Sequence, residues 1–225
     1  MKAASSILCT VGLSVICAFL PLVVMVIAAT ALILLHFYAL SMPIALVSCI
    51  IFLIMYIFYF RFTPKKAWLV LLTPIAFALK IPFVIPVAFG LLAAPICVLP
   101  AAFGTIVYYM IHYVKMSSSA YKGGDAKSLV EGLMAFTRQS LANKEMWVMV
   151  LALSVSLLIV YAVRTRSVDH AWKIASASGA VTAIIIGAAG KIALNVHLSY
   201  GPMAVSGVAA IVVGLVLEFL FFSVN

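Results

Sequence analysis

Lys80 and Glu218 stand inside long apolar runs of this chain. A charge surrounded by lipid is costly unless it faces protein, water or a partner. For Lys80 two readings are open. Its stem can snorkel to an interface, or its ammonium can face a cavity and hold an anionic group such as a lipid phosphate or carboxylate. Pro82 and Pro86 follow closely, and each removes a backbone donor and disfavours a continuous helix. Lys80, Pro82, Pro86 and Glu218 are therefore the candidate ligand or ion path. Glu218 itself reads as a proton or cation site, or as half of a structural ion pair. Depth selects its partner. Lys191 precedes the last apolar run, roughly 24 Å of helix away from Glu218. Arg164, Arg166 and Lys173 fall on the side of Glu218 and are the ion-pair candidates.

Other reactive residues point to less. Tyr108, Tyr109, His112 and Tyr113 gather at one predicted helix end, as an aromatic belt does. His112 has no second His, Cys or carboxylate at ligand spacing. Cys9, Cys17, Cys49 and Cys97 lie in apolar stretches without a C-x-x-C pair, and read as packing residues. No metal and no cofactor is expected. No H-E-x-x-H, P-loop or Rossmann glycine pattern is present, and the five acidic residues are scattered. The expectation is a protein that is not an enzyme.

Two short resemblances can be weighed. Val205-Ser206-Gly207 followed by Gly214 resembles the serine segment of rhomboid proteases. That chemistry needs a histidine base, which in rhomboids comes from a later helix. No histidine follows Ser206, and His197 precedes it. The proline-broken stretch around Lys80 is similar to the re-entrant hairpins of DedA-like membrane proteins. The acidic residues of that pattern are absent, and membership does not follow.

Composition says what must position these residues. Of 225 residues, 67% are hydrophobic and 8% charged, against about a quarter charged in soluble domains. The mean hydropathy is +1.31. Long unbroken apolar runs exclude the alternating pattern of a transmembrane barrel. The fold class expected is all-α: a polytopic integral membrane helical bundle with six to seven transmembrane helices. The net charge of +9 fits basic loops at a membrane surface. No basic patch interleaved with aromatics exists to bind single-stranded nucleic acid. Met1-Lys2 opens an apolar run too long for a signal peptide, so an uncleaved first span is expected.

The chain reads as one transmembrane domain, 1–225, with approximate spans 11–35, 44–60, 67–90, 95–114, 146–163, 172–190 and 202–224. Pro21 is a candidate kink, and His36 to Pro43 a candidate interfacial turn. The stretch 67–114 is Pro-rich and broken or re-entrant. It can hold a kinked span followed by a second one, or a pair of half-helices turning back near Lys80 before one true span. Lys and Arg are more unevenly shared in the first arrangement, which places the N-terminus in the cytoplasm. An amphipathic interfacial helix is expected near 125–142, where Leu129, Leu133 and Phe136 recur at helical spacing. Gly179, Ala183 and Gly187, and again Ala210 and Gly214, follow the four-residue small pattern that lets helices approach closely.

Two functions fit. One is a transporter-like, channel-like or lipid-handling protein of the cell membrane, with its polar site near the broken helices at 80–100. The other is a non-enzymatic structural or assembly subunit of a larger membrane complex. The partners expected are the lipid bilayer and other membrane subunits or further copies of the chain, with no nucleic acid.

Overall fold

The computed structural model describes residues 21–40, 42–62, 68–117, 134, 138, 142–167, 169–196 and 199–222. Among these, the regular elements are all helical. In chain order they are α1 (Leu22–Leu40), α2 (Met42–Phe62), α3 (Trp68–Ala78), α4 (Val84–Leu92), a 3-10 turn (Pro95–Cys97), α5 (Val98–Ser117), α6 (Lys144–Arg164), α7 (Ala171–Leu194) and α8 (Tyr200–Phe222). Among the described residues, four helical segments are long and apolar enough to cross a membrane: Pro95–Lys115, Lys144–Arg164, Ala171–Leu194 and Tyr200–Phe221. The apolar stretches Val23–Ala39 and Ile44–Ile57 are shorter. The start of the expected first span lies outside the described residues. So does the expected amphipathic helix, except for Met134, Arg138 and Ala142.

Several boundaries differ from the sequence reading. His36 to Leu40 are helical rather than a turn, and α2 begins at Met42. Pro43 fits there because the first turn of a helix needs no N–H from it. Lys191 belongs to α7, beyond the end of the expected span 172–190. That helix continues to Leu194 and ends on Asn195 in the left-handed conformation, φ 50°, which asparagine tolerates. Asn143 caps α6 by accepting from the N–H groups of Glu145 (3.0 Å) and Met146 (3.3 Å).

The expected span 67–90 is two helices. α3 has 11 residues and α4 has 9, so each rises only about 13–17 Å, half of a ~30 Å hydrocarbon core. Chain direction reverses between them. Thr73 meets Gly104 and Phe77 stacks on Tyr108, so α3 runs parallel to α5. Phe83 bonds Ser206 and Val87 meets Gly214, so α4 runs parallel to α8.

α4 is the centre of the molecule. Ile85, Pro86, Val87, Phe89, Gly90 and Leu91 are all buried in it, against α6, α7 and α8. Small residues make that enclosure possible. Val160 of α6 is pinched between two glycines. A Cβ on Gly90 would lie 2.6 Å from Val160 Cβ, and one on Gly179 would lie 2.1 Å from Val160 Cγ2. Gly214 closes the α7–α8 crossing, its hypothetical Cβ lying 2.4 Å from Ser176 Cβ, and the Cβ of one on Gly187 would sit 2.3 Å from Met203 Cε. Ala183 and Ala210 are fully buried. The small-residue stripes thus seat α7 against α6 and α8, and all three against α4.

Candidate functional site

The turn between α3 and α4 carries its own logic. Lys80 has φ 61°, the left-handed region that side chains other than glycine rarely occupy. Its N–H donates to Phe77 O (3.0 Å) and the Ile81 N–H to Ala76 O (2.9 Å). This is a Schellman C-cap, with Lys80 at the position where glycine is usual and a proline soon after. A left-handed lysine costs about 1–2 kcal/mol more than glycine would. The favourable meeting of its charge with the helix C-terminus returns about 0.3–1 kcal/mol, so the cap alone does not account for lysine here.

Lys80 is exposed, and it lines an open cavity of about 280 Å³. Pro82 and Phe83 continue the wall from the turn; Tyr108, Tyr109 and His112 come from α5, Glu145 from α6, Ser199 from just before α8 and Pro202 from its first turn. The cavity lies at the bundle end where α5 finishes beside Lys115 and α6 begins at Lys144. The aromatics brace one another. Phe77 stacks on Tyr108 with centroids 4.7 Å apart, and Tyr108 on His112 at 5.9 Å. Tyr109 meets both Phe77 and Tyr108 edge to face, and its hydroxyl donates to Glu145 Oε1 at 3.0 Å. Among the described residues, the site therefore presents one ammonium, one carboxylate and several hydroxyls over an aromatic floor.

Both ends of α4 are satisfied by side chains of surrounding helices. At its start the Phe83 N–H donates to Ser206 Oγ at 2.9 Å, both residues being fully buried. Ser206 stands six positions into α8, about 9 Å below that helix end. Its hydroxyl is thus engaged as a backbone acceptor. At the other end Arg164 Nη1 donates to the Leu91 carbonyl. The same guanidinium lies 5.6 Å from the Tyr161 ring and 5.9 Å from that of Trp172, within cation–π range. Such caps matter because broken backbone at membrane depth persists only when protein or a watery cavity satisfies it.

The four residues of the sequence-based path do not share one site. Lys80 and Pro82 wall the cavity, and Pro86 is buried within α4. Glu218 is at the opposite end of the bundle, with Lys173 Nζ at 3.9 Å from its Oε1. Between the two ends the interior is closed by Val87, Leu153, Ala180 and Ala210. Of the three cations grouped with Glu218, Lys173 meets it, Arg164 turns to α4, and Arg166 is exposed beyond α6. The Lys173 side chain is 51% exposed, because it stands in the first turn of α7. Glu218→Gln should accordingly change stability by about 1 kcal/mol or less, read as a thermal melt in detergent. A loss of about 3 kcal/mol or more would show a desolvated pair instead.

Glu145, Ser199, Phe77 and Phe83 were not singled out from sequence. Only the Asn143–Glu145 capping pattern was locally visible, and it speaks of a helix start rather than of a site. Among the described residues, no group of three His, Cys, Asp or Glu side chains could hold a metal ion. No protein-family model, curated protein or solved structure matches the chain.

Proposed function

We propose that this is a non-enzymatic, multi-pass protein of the cell membrane that handles lipid, or another amphiphile with an anionic group, at the Lys80 cavity. In this reading α3 and α4 form a re-entrant pair: the chain enters the membrane, turns at Lys80 and returns as α4. The observation that carries it is a lysine held at a backbone position suited to glycine, on the wall of a 280 Å³ cavity. Strain of this kind is retained where the side chain has a task. The closed core between the cavity and Glu218 favours binding from one membrane face over a continuous pore.

The test separates the task from the fold. Lys80→Gly relieves the left-handed strain, so the melting temperature of the purified protein should hold or rise. Native mass spectrometry in detergent should show bound anionic amphiphile on the wild type and little on the variant. A variant that melts lower and still retains the amphiphile would refute the reading.

A second reading, a subunit of a larger membrane assembly, is favoured by the wide apolar trough between α1 and α2. It spans about 580 Å³ and includes Leu35, Tyr38, Leu46 and Cys49. Cross-linking through Cys49 to one defined neighbour, with unchanged lipid content in Lys80→Gly, would favour it.

A further inference from the structure

We infer that the Lys80 cavity recognises a phosphate ester carrying a primary ammonium, rather than a simple anion. The inference rests on the reading of this cavity as the ligand site and specifies what occupies it. Charge comes first. Among the described residues, the wall holds one cation, Lys80, and one carboxylate, Glu145. A ligand with only negative charge would meet Glu145 as a repulsive neighbour, whereas a zwitterion satisfies both groups. Hydrogen bonding comes second. Glu145 Oε1 accepts from the Tyr109 hydroxyl, which fixes the carboxylate and leaves Oε2 for a further donor among the described residues. The Tyr108 and Ser199 hydroxyls belong to the same wall and supply further acceptors. An –NH₃⁺ group has three donors to share among such acceptors.

The aromatic floor decides between a primary and a quaternary ammonium. Quaternary ammonium groups are recognised by open aromatic faces. Here the rings are turned to one another: Tyr108 lies nearly parallel to Phe77 and to His112, with planes 22° and 18° apart. Tyr108 is thus engaged by stacking on two neighbours, and the polar atoms of the wall carry the recognition. A phosphate at Lys80 and an ammonium at Glu145 is the headgroup chemistry of phosphoethanolamine. The cavity's position at the bundle end, beside Lys115 and Lys144, is where a lipid headgroup would lie.

The experiment titrates the full-length protein in detergent with short-chain phosphatidylethanolamine, phosphatidylcholine and phosphatidylglycerol, and with water-soluble glycerophosphoethanolamine as competitor. Wild type should prefer the ethanolamine lipid by about tenfold over both others, the scale of one lost charged hydrogen bond. Glu145→Gln keeps an acceptor for Tyr109 but removes the charge. It should erase the preference over phosphatidylglycerol while leaving phosphatidylglycerol bound. Lys80→Gly should lose all three lipids. Competition by the soluble headgroup at concentrations like those of the lipid would support the same recognition with a soluble ligand as its source. Weak competition would support the same recognition with the lipid as its source. If Lys80→Gly loses binding but Glu145→Gln keeps the wild-type preference, or if wild type favours phosphatidylglycerol or phosphatidylcholine, the inference is overturned and the cavity reading stands. If Lys80→Gly binds all three lipids as wild type does, both fall.

Discussion

Gly179→Leu is expected to lower the thermal stability of the detergent-solubilised protein more than any other single change at the helix crossings. Two effects compete. Leucine is the better helix former by roughly 0.5–1 kcal/mol. Against that, the new Cβ would start 2.1 Å from Val160 Cγ2, before three further carbons are added. Val160 cannot yield. It is fully buried, stiff at χ1 because it is β-branched, and held on its other side by Gly90. Overpacking costs about 1–3 kcal/mol and sometimes more, so it outweighs the propensity gain. Ala183→Leu, one turn along the same stripe, should act in the same direction. A cycle identifies the cause. Val160→Ala removes the γ carbons that clash, so Gly179→Ala should be better tolerated in that background than in wild type. Equal losses in both backgrounds would show that Val160 is not the obstacle.

Ser206→Ala is expected to cost about 1–3 kcal/mol, the penalty for a buried N–H left without an acceptor. The donor is the Phe83 N–H, and neither residue is reached by solvent. The loss should be local as well as global. Hydrogen exchange of amides from Phe83 to Val87 should accelerate more than that of amides in the middle of α6, because the hydroxyl secures the start of α4 in particular. A melt unchanged from wild type, with exchange at Phe83 unaltered, would mean that another group or water takes over the bond.

How much of this was legible in the sequence differs by residue. The break near Lys80 was visible, because Pro82 and Pro86 follow an apolar run too short to span a membrane. The reversal was one of the two arrangements the prolines allow, and the count of Lys and Arg pointed to the other. Hydrophobic periodicity reports that a helix forms, not which way the next one runs, and the usual sign of a left-handed cap is glycine, whereas this cap uses lysine. While both arrangements stay open, Arg164 has no visible target. Its partner, the Leu91 carbonyl, reaches it only because α4 returns through the bundle, and so Arg164 was grouped with Glu218. The small-residue stripes at Gly179–Gly187 and Ala210–Gly214 were legible as close crossings, but not that Val160 of α6 would fill the space at Gly179. The carboxylate of the cavity was hidden for a different reason. Glu145 and Tyr109 are 36 positions apart, joined only by the packing of α5 on α6, and nothing local marks them as neighbours. Glu218 stands out in the sequence because acids are rare in apolar runs. Its exposed partner Lys173 explains it without a path through the protein.

The reversal at Lys80 is best tested by asking from which side of a membrane that residue can be reached. The four native cysteines would be replaced by alanine, single cysteines introduced as Lys80→Cys, Lys115→Cys and Arg166→Cys, and each protein reconstituted in vesicles in one orientation. A membrane-impermeant maleimide is then applied from either side. If α3 and α4 turn back at Lys80, the cysteine at 80 reacts from the same side as the one at 115, and the one at 166 reacts from the other. A cysteine at 80 that stays unreactive from both sides, or that reacts with the one at 166, would mean that residues 68–92 cross the membrane as a single kinked span.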